Sequence, residues 1–139
     1  DTPLPDFSTP SEMSNVALIV EGKKLHVTKH FLAIHSPVFE AMFFKRFDEA
    51  NKDEVPLKDV RHAEFLDLLR VLYPPHLEIN YTNVNHILKL ADRFETKSAS
   101  EKAEAYLIST NRATLAVKLN FADCYRLTHL RLSPEYFTF

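Results

Sequence analysis

One glycine, Gly22, serves the whole 139-residue chain. Glycine enters left-handed backbone conformations at little steric cost and lets a backbone close on a ligand. A chain with one of them cannot build a phosphate-cradling loop of several glycines, whether of the P-loop or the dinucleotide-binding kind, so nucleotide chemistry on those motifs is excluded. What one glycine does allow is one tight hairpin. Val16, Leu18 and Val20 alternate before it, and Leu25 and Val27 alternate after it. The segment from Asn15 to Val27 therefore reads as a β-hairpin that turns at Glu21-Gly22-Lys23. Ala17 and Ile19 are apolar too, so the first strand is expected to be covered on both faces.

With glycine spent on the hairpin, proline punctuates the rest. Residues 1–14 (DTPLPDFSTPSEMS) read as an extended arm or linker, with Leu4, Phe7 and Met13 as docking points. A short helix is expected over Thr28 to Ser36. Ser36 as cap and Pro37 at the first position then start a second helix, to about Phe47. Phe39, Met42 and Phe43 form its core stripe, and Phe44 and Phe47 lie on another side. After a polar loop, Glu54 to Lys58 reads as a strand in which Pro56 requires an edge or a bulge. A third helix, about His62 to Tyr73, carries Phe65, Leu68, Leu69 and Leu72 on one face and ends at Pro74-Pro75. Leu77 to Ile79 suits a short strand. A fourth helix covers about Val84 to Phe94 with Asn83 as cap, and a fifth about Ser98 to Ser109 with Ser98 and Glu101 at capping-box spacing. A sixth covers about Ala113 to Arg126, capped by Thr110 or Asn111, and a seventh begins near Thr128. The expected class is α+β, a small β-sheet with a cluster of short α-helical hairpins. Residues 15–109 make the main domain and 110–139 a C-terminal helical extension.

Composition bounds the function. Hydrophobic residues make up 45% of the chain, with eleven Phe and five Tyr, enough for a core without disulfides or metal. No run of about 18 apolar residues is present to span a membrane. The single cysteine, Cys124, excludes an intrachain disulfide and fits a reducing compartment, cytoplasm or nucleus. It lies on an apolar helix row and is expected in the core. Seventeen basic and nineteen acidic residues are interspersed, for a net charge of −2. That argues against binding nucleic acid or anionic membrane by bulk charge. The seven histidines follow no metal-ligand spacing, and neither Cys-x-x-Cys nor His-Glu-x-x-His occurs. No catalytic, cofactor or metal site is expected, and no enzyme.

The residues then narrow the choice among small α+β domains. Asn15-Val16 with Val20-Glu21-Gly22-Lys23-Lys24-Leu25-His26-Val27 resembles the opening hairpin of BTB/POZ domains. Leu32-Ala33-Ile34-His35-Ser36-Pro37-Val38-Phe39-Glu40-Ala41-Met42-Phe43 resembles their most recognisable stretch. Val55 to Val60, Phe65 to Tyr73 and Leu90-Ala91-Asp92-Arg93-Phe94 match the strand and helices that follow. The resemblance covers residues 14 to 109, and within the family it is to the BTB half of MATH-BTB cullin adaptors.

That resemblance implies a homodimer that docks on a cullin scaffold of the cullin-three class and recruits substrates for ubiquitin transfer through a domain outside this chain. The alternative is the BTB scaffold of a transcriptional regulator that recruits corepressors. Phe47-Asp48-Glu49 resembles the aromatic-x-Glu motif of cullin-binding members, with Phe44 beside it. Leu119 and Phe121 fall in the sixth helix, which resembles the cullin-binding helical extension. Its two apolar rows, Leu115-Leu119-Ala122 and Val117-Phe121-Cys124, suggest a helix covered on both sides. Phe31, Leu32, Leu4, Phe7 and Met13 map to the family's dimer surface, although Leu32 also suits the core. Many members carry Asp and His where this chain has Asn15 and Thr28. The Asp and its basic partner form a charged pocket, so here the pair is Asn15 and Lys29, without an ion pair.

Overall fold

In the computed structural model, residues 3–45 and 52–131 are described. Strand β1 (Val16–Val20) pairs antiparallel with β2 (Lys23–Val27), Val16 opposite Val27 and Val20 opposite Lys23. Two residues make the turn. Glu21 and Gly22 have φ of 51° and 77°, the pair of positive values that matches the right-handed twist of a two-residue hairpin. Strand β3 (Glu54–Leu57) runs parallel to β1, which gives the order β2-β1-β3. Pro56 thus lies on an edge strand, where its missing N–H costs no ladder bond. β1, in the middle, buries Val16, Ala17, Leu18 and Val20 and half-buries Ile19, as a strand covered on both faces should.

Helices α1 (Lys29–His35) and α2 (Pro37–Phe44) make the crossover between β2 and β3. They are followed by α3 (His62–Leu72), α4 (Val84–Arg93), α5 (Lys97–Ser109), α6 (Leu115–Tyr125) and α7 (Thr128–Arg131). The core is centred on phenylalanines. Phe39 of α2 stacks on Phe43 at 5.6 Å and on Phe94 at 4.9 Å, and Phe65 of α3 meets Phe94 edge-on at 5.5 Å. Ser36 ties these elements together. Its buried hydroxyl accepts the Phe39 N–H at 3.1 Å and donates to the Phe94 carbonyl at 2.5 Å, so one side chain caps α2 and fixes the end of α4.

Several local expectations are corrected. Helix α2 ends at Phe44, where the Lys45 N–H closes on the Ala41 carbonyl. Residues 46–51 lie outside the described residues, and Phe47, Asp48 and Glu49 with them. Leu77 to Ile79 is not a strand. The Leu77 N–H bonds to the Arg70 carbonyl at 2.7 Å and the Glu78 carbonyl accepts from the Asn83 side chain at 3.1 Å, so helix and loop hold it in place of a sheet partner. Asn83 spends its amide on this loop and does not cap α4. α5 starts at Lys97, one residue before the expected box, and Ser98 pairs with His35 at 3.2 Å. Thr114, not Thr110 or Asn111, caps α6 through the Val117 N–H.

The packing of α6 differs most. Its inward row is Lys118 and Ala122, flanked by half-buried Phe121 and Tyr125. Leu115, Val117, Leu119 and Cys124 are exposed. Lysine holds a core position because its methylene stem packs like a hydrophobe while its ammonium donates to the Thr110 carbonyl at 2.8 Å.

Candidate interaction surfaces

The hairpin positions α1. No side chain of its own N-cap residue, Thr28, closes the first turn. Asn15, just before β1, does so from a distance: its Oδ1 accepts the Lys29 N–H at 2.8 Å. The bond engages the Lys29 backbone, not the basic side chain that the family's charged pocket uses.

The N-terminal arm lies against the chain's own body. The Phe7 carbonyl accepts the His26 N–H at 2.8 Å on the outer edge of β2, and the Pro5 carbonyl accepts from Arg70 Nε at 2.8 Å. Thr28 Oγ1 donates to the Met13 carbonyl at 2.9 Å. The Phe7 ring meets Tyr73 edge-on at 4.8 Å, and the Phe31 ring lies tilted against Tyr73 at 4.1 Å. Of the residues assigned to a dimer surface, Phe31, Phe7 and Leu4 are therefore half-buried in cis. Met13 is 77% exposed. Leu32 is 0% exposed, a core residue that no second copy can touch without unfolding α1.

Burial in this aromatic group shifts two titrations. Burial pushes the Tyr73 phenol up from its ordinary value, against the hydrogen bonds with Thr28. His35, whose ring lies 4.7 Å from Phe31, is held below its ordinary value by burial first and then by repulsion from Lys102 and neighbouring His76.

The outward side of α1 carries a residue that sequence reasoning missed. Ile34 is 81% exposed. Two positions from buried Leu32 on a helix is about 200° around the axis, and that offset is the signal that could have found it. Beside it, Phe44 of α2 is 47% exposed and meets the His30 ring at 5.0 Å, nearly perpendicular. His30, Ala33, Ile34, Glu40, Phe44 and Lys45 line one shallow cavity of about 420 Å³, with Glu40 and Lys45 3.4 Å apart. Phe44, grouped by sequence with the cullin motif, is thus brought together with α1. A second surface lies on α6, where Leu119 is exposed and Phe121, stacked on Tyr125 at 6.3 Å, is half-buried. Among the described residues no group of His, Cys, Asp or Glu is placed to hold a metal ion, and no helix is long and apolar enough to cross a membrane.

Two short helices that connect the edge strands β2 and β3 and carry an exposed apolar face are suited to binding other proteins. The family model of the BTB/POZ domain matches residues 4–111. The chain belongs to the BTB/POZ family. BTB/POZ domains are protein-interaction modules. This one is 46% identical over 126 residues to BTB and MATH domain-containing protein 36 of Caenorhabditis elegans, covering 90% of this chain and 39% of that protein. It is 38% identical to BTB and MATH domain-containing protein 38 of the same organism, over 87% of this chain and 31% of that protein. Kelch-like protein 21 of Danio rerio is 33% identical over 88% of this chain and 20% of its own length. The chain therefore spans two fifths or less of these relatives. The solved BTB domain of human gigaxonin has the same fold, with a TM-score of 0.55 over 66% of this chain and 75% of that one, at 14% identity.

Proposed function

We propose that this BTB/POZ domain is a self-associating adaptor that docks on a cullin scaffold and, through another domain, brings a substrate to be ubiquitinated, doing no chemistry itself. The observation that carries self-association is the α1–α2 face. An apolar centre of Ile34 and Phe44, largely in water, is flanked by one acid, Glu40, and one base, Lys45. A patch of that composition complements itself: across a two-fold axis the base of one copy faces the acid of the other. Of the arm residues assigned to a dimer surface, Met13 is the exposed one.

Cullin binding is supported by kinship with the MATH-BTB and Kelch-like relatives and by the sequence Phe47-Asp48-Glu49, which begins three positions after the last residue of α2. An aromatic beside a carboxylate offers a hydrophobic anchor and an acceptor for the N–H groups at a partner helix N-terminus. A central aromatic of this kind contributes about 2 kcal/mol or more to binding. Leu119 extends the same reading to α6. Two proteins held on one adaptor act on each other at a raised effective concentration.

Titration calorimetry against the N-terminal region of a cullin tests the docking. Phe47→Ala and Glu49→Ala are each expected to weaken binding at least tenfold, with thermal stability unchanged. Wild type and both variants binding alike would remove the site assignment, and no binding by wild type would remove the cullin.

A further inference from the structure

We infer that self-association through the α1–α2 face is gated by the protonation state of His30. The inference rests on the reading of that face as the contact between two copies. His30 lines the cavity together with Ile34 and Phe44, and its ring lies 5.0 Å from the Phe44 ring. A second copy that covers the two apolar side chains also takes the imidazole out of water. A neutral imidazole tolerates that transfer, whereas an imidazolium does so only with a compensating partner.

The charge balance of the face sets the sign. Among the described residues, Glu40 and Lys45 of α2 are the other charged groups lining this cavity, 3.4 Å apart, and Lys29 precedes His30 on α1. Glu40 already has one cation, Lys45, 3.4 Å away, so one carboxylate faces two positive charges once His30 is protonated. With His30 neutral, the cavity carries one acid and one base. With His30 protonated it gains one net positive charge. Because a two-fold contact sets a patch against its own copy, the second chain brings the same charge to the same place. Histidine is the side chain whose ordinary titration falls between pH 5 and 8, so acidification over that range turns a self-complementary face into a self-repelling one. His35, on the same helix, is directed to Ser98 of α5 and does not line the cavity.

The test is the dimer dissociation constant of the full chain by sedimentation velocity, at about pH 7.5 and about pH 5.5 and constant ionic strength. Wild type is expected to weaken by about tenfold or more on acidification. His30→Gln, which keeps a polar side chain without the charge, is expected to lose that response. His30→Lys is expected to be weak at both values. Acid effects arising elsewhere, such as at His35, are shared by wild type and His30→Gln, so the difference between them isolates this site. Equal responses in the two, or none in wild type, overturn the inference. Ile34→Asp separates it from the reading beneath. If that variant associates as wild type does at the higher pH, the face is not the contact and the inference falls with it. If it is monomeric while wild type and His30→Gln respond alike, the face stands and the gating alone is wrong.

Discussion

The side-chain oxygen of Asn15 accepts the backbone N–H of Lys29 at 2.8 Å, so the residue that opens the hairpin also closes the first turn of α1. An amide at this place does the work of an N-cap borrowed from another element. Asn15→Ala is expected to lower stability by about 1 kcal/mol. Asn15→Asp should hold or raise it, because a carboxylate keeps the acceptor and adds a favourable charge at the helix N-terminus. Urea unfolding midpoints of the three proteins decide this. An unchanged Asn15→Ala midpoint would contradict it.

Helix α3 has the same dependence. Glu21, in the hairpin turn, accepts the His62 N–H at 2.6 Å, and the cap residue of α3, Arg61, supplies no side-chain bond. Glu21→Ala is expected to cost about 1 kcal/mol, whereas Glu21→Gln, still an acceptor, should cost less. Thermal melts of both report it.

Thr96 is a built-in weakness. Its hydroxyl is buried and has no hydrogen-bond partner among the described residues, although it stands at the N-cap of α5. An unmet buried hydroxyl costs about 1–3 kcal/mol, and replacing it with an apolar group of the same shape removes that cost. Thr96→Val is expected to raise the melting temperature; a lower one would mean that the hydroxyl has a partner in solution.

Leu32 and Ile34 share a helix and differ in consequence. Leu32→Ala removes a fully buried side chain and is expected to cost about 2–5 kcal/mol. Ile34→Ala should change stability by no more than about 0.5 kcal/mol while weakening self-association. Unfolding and sedimentation run on the same samples separate the two effects.

His35 links stability to pH. Its folded-state value is depressed below the ordinary 6.5, chiefly by burial, so the unfolded chain binds the proton more readily. Its contribution is fully present above that ordinary value and is lost as pH falls through the depressed one. His35→Gln is expected to flatten the acid side of the stability profile, measured by denaturant titration at a series of pH values. A slope equal to that of wild type would rule out His35 as the group responsible.

Much of this was legible in the chain itself, because the signals are local. The glycine between two alternating runs gave a hairpin, Ser36-Pro37 divided two helices, and the spacing of Phe65, Leu68, Leu69 and Leu72 gave α3 its inward face. What escapes the sequence lies where a partner is distant. Glu21 serves position 62 and Ser36 serves 94, and no window of sequence contains both ends of such a bond; the Asn15–Lys29 pair is expected only through the family resemblance. For α6, two apolar rows suggest cover on both sides and a core place for Cys124, whereas Cys124 is exposed and Lys118 takes the buried place by satisfying the Thr110 carbonyl. Ile34 was not singled out; its outward position follows once Leu32 is placed in the core.

The hairpin therefore works as a jig for two helices at once. Its leading residue sets where α1 begins and its turn sets where α3 begins, and the outward surface of α1 is aimed by that seating. A slip of one residue in the pairing of β1 with β2 would swap the strand faces and displace both anchors together. Substitutions hidden in the sheet should then surface as altered recognition, with no partner-facing atom changed.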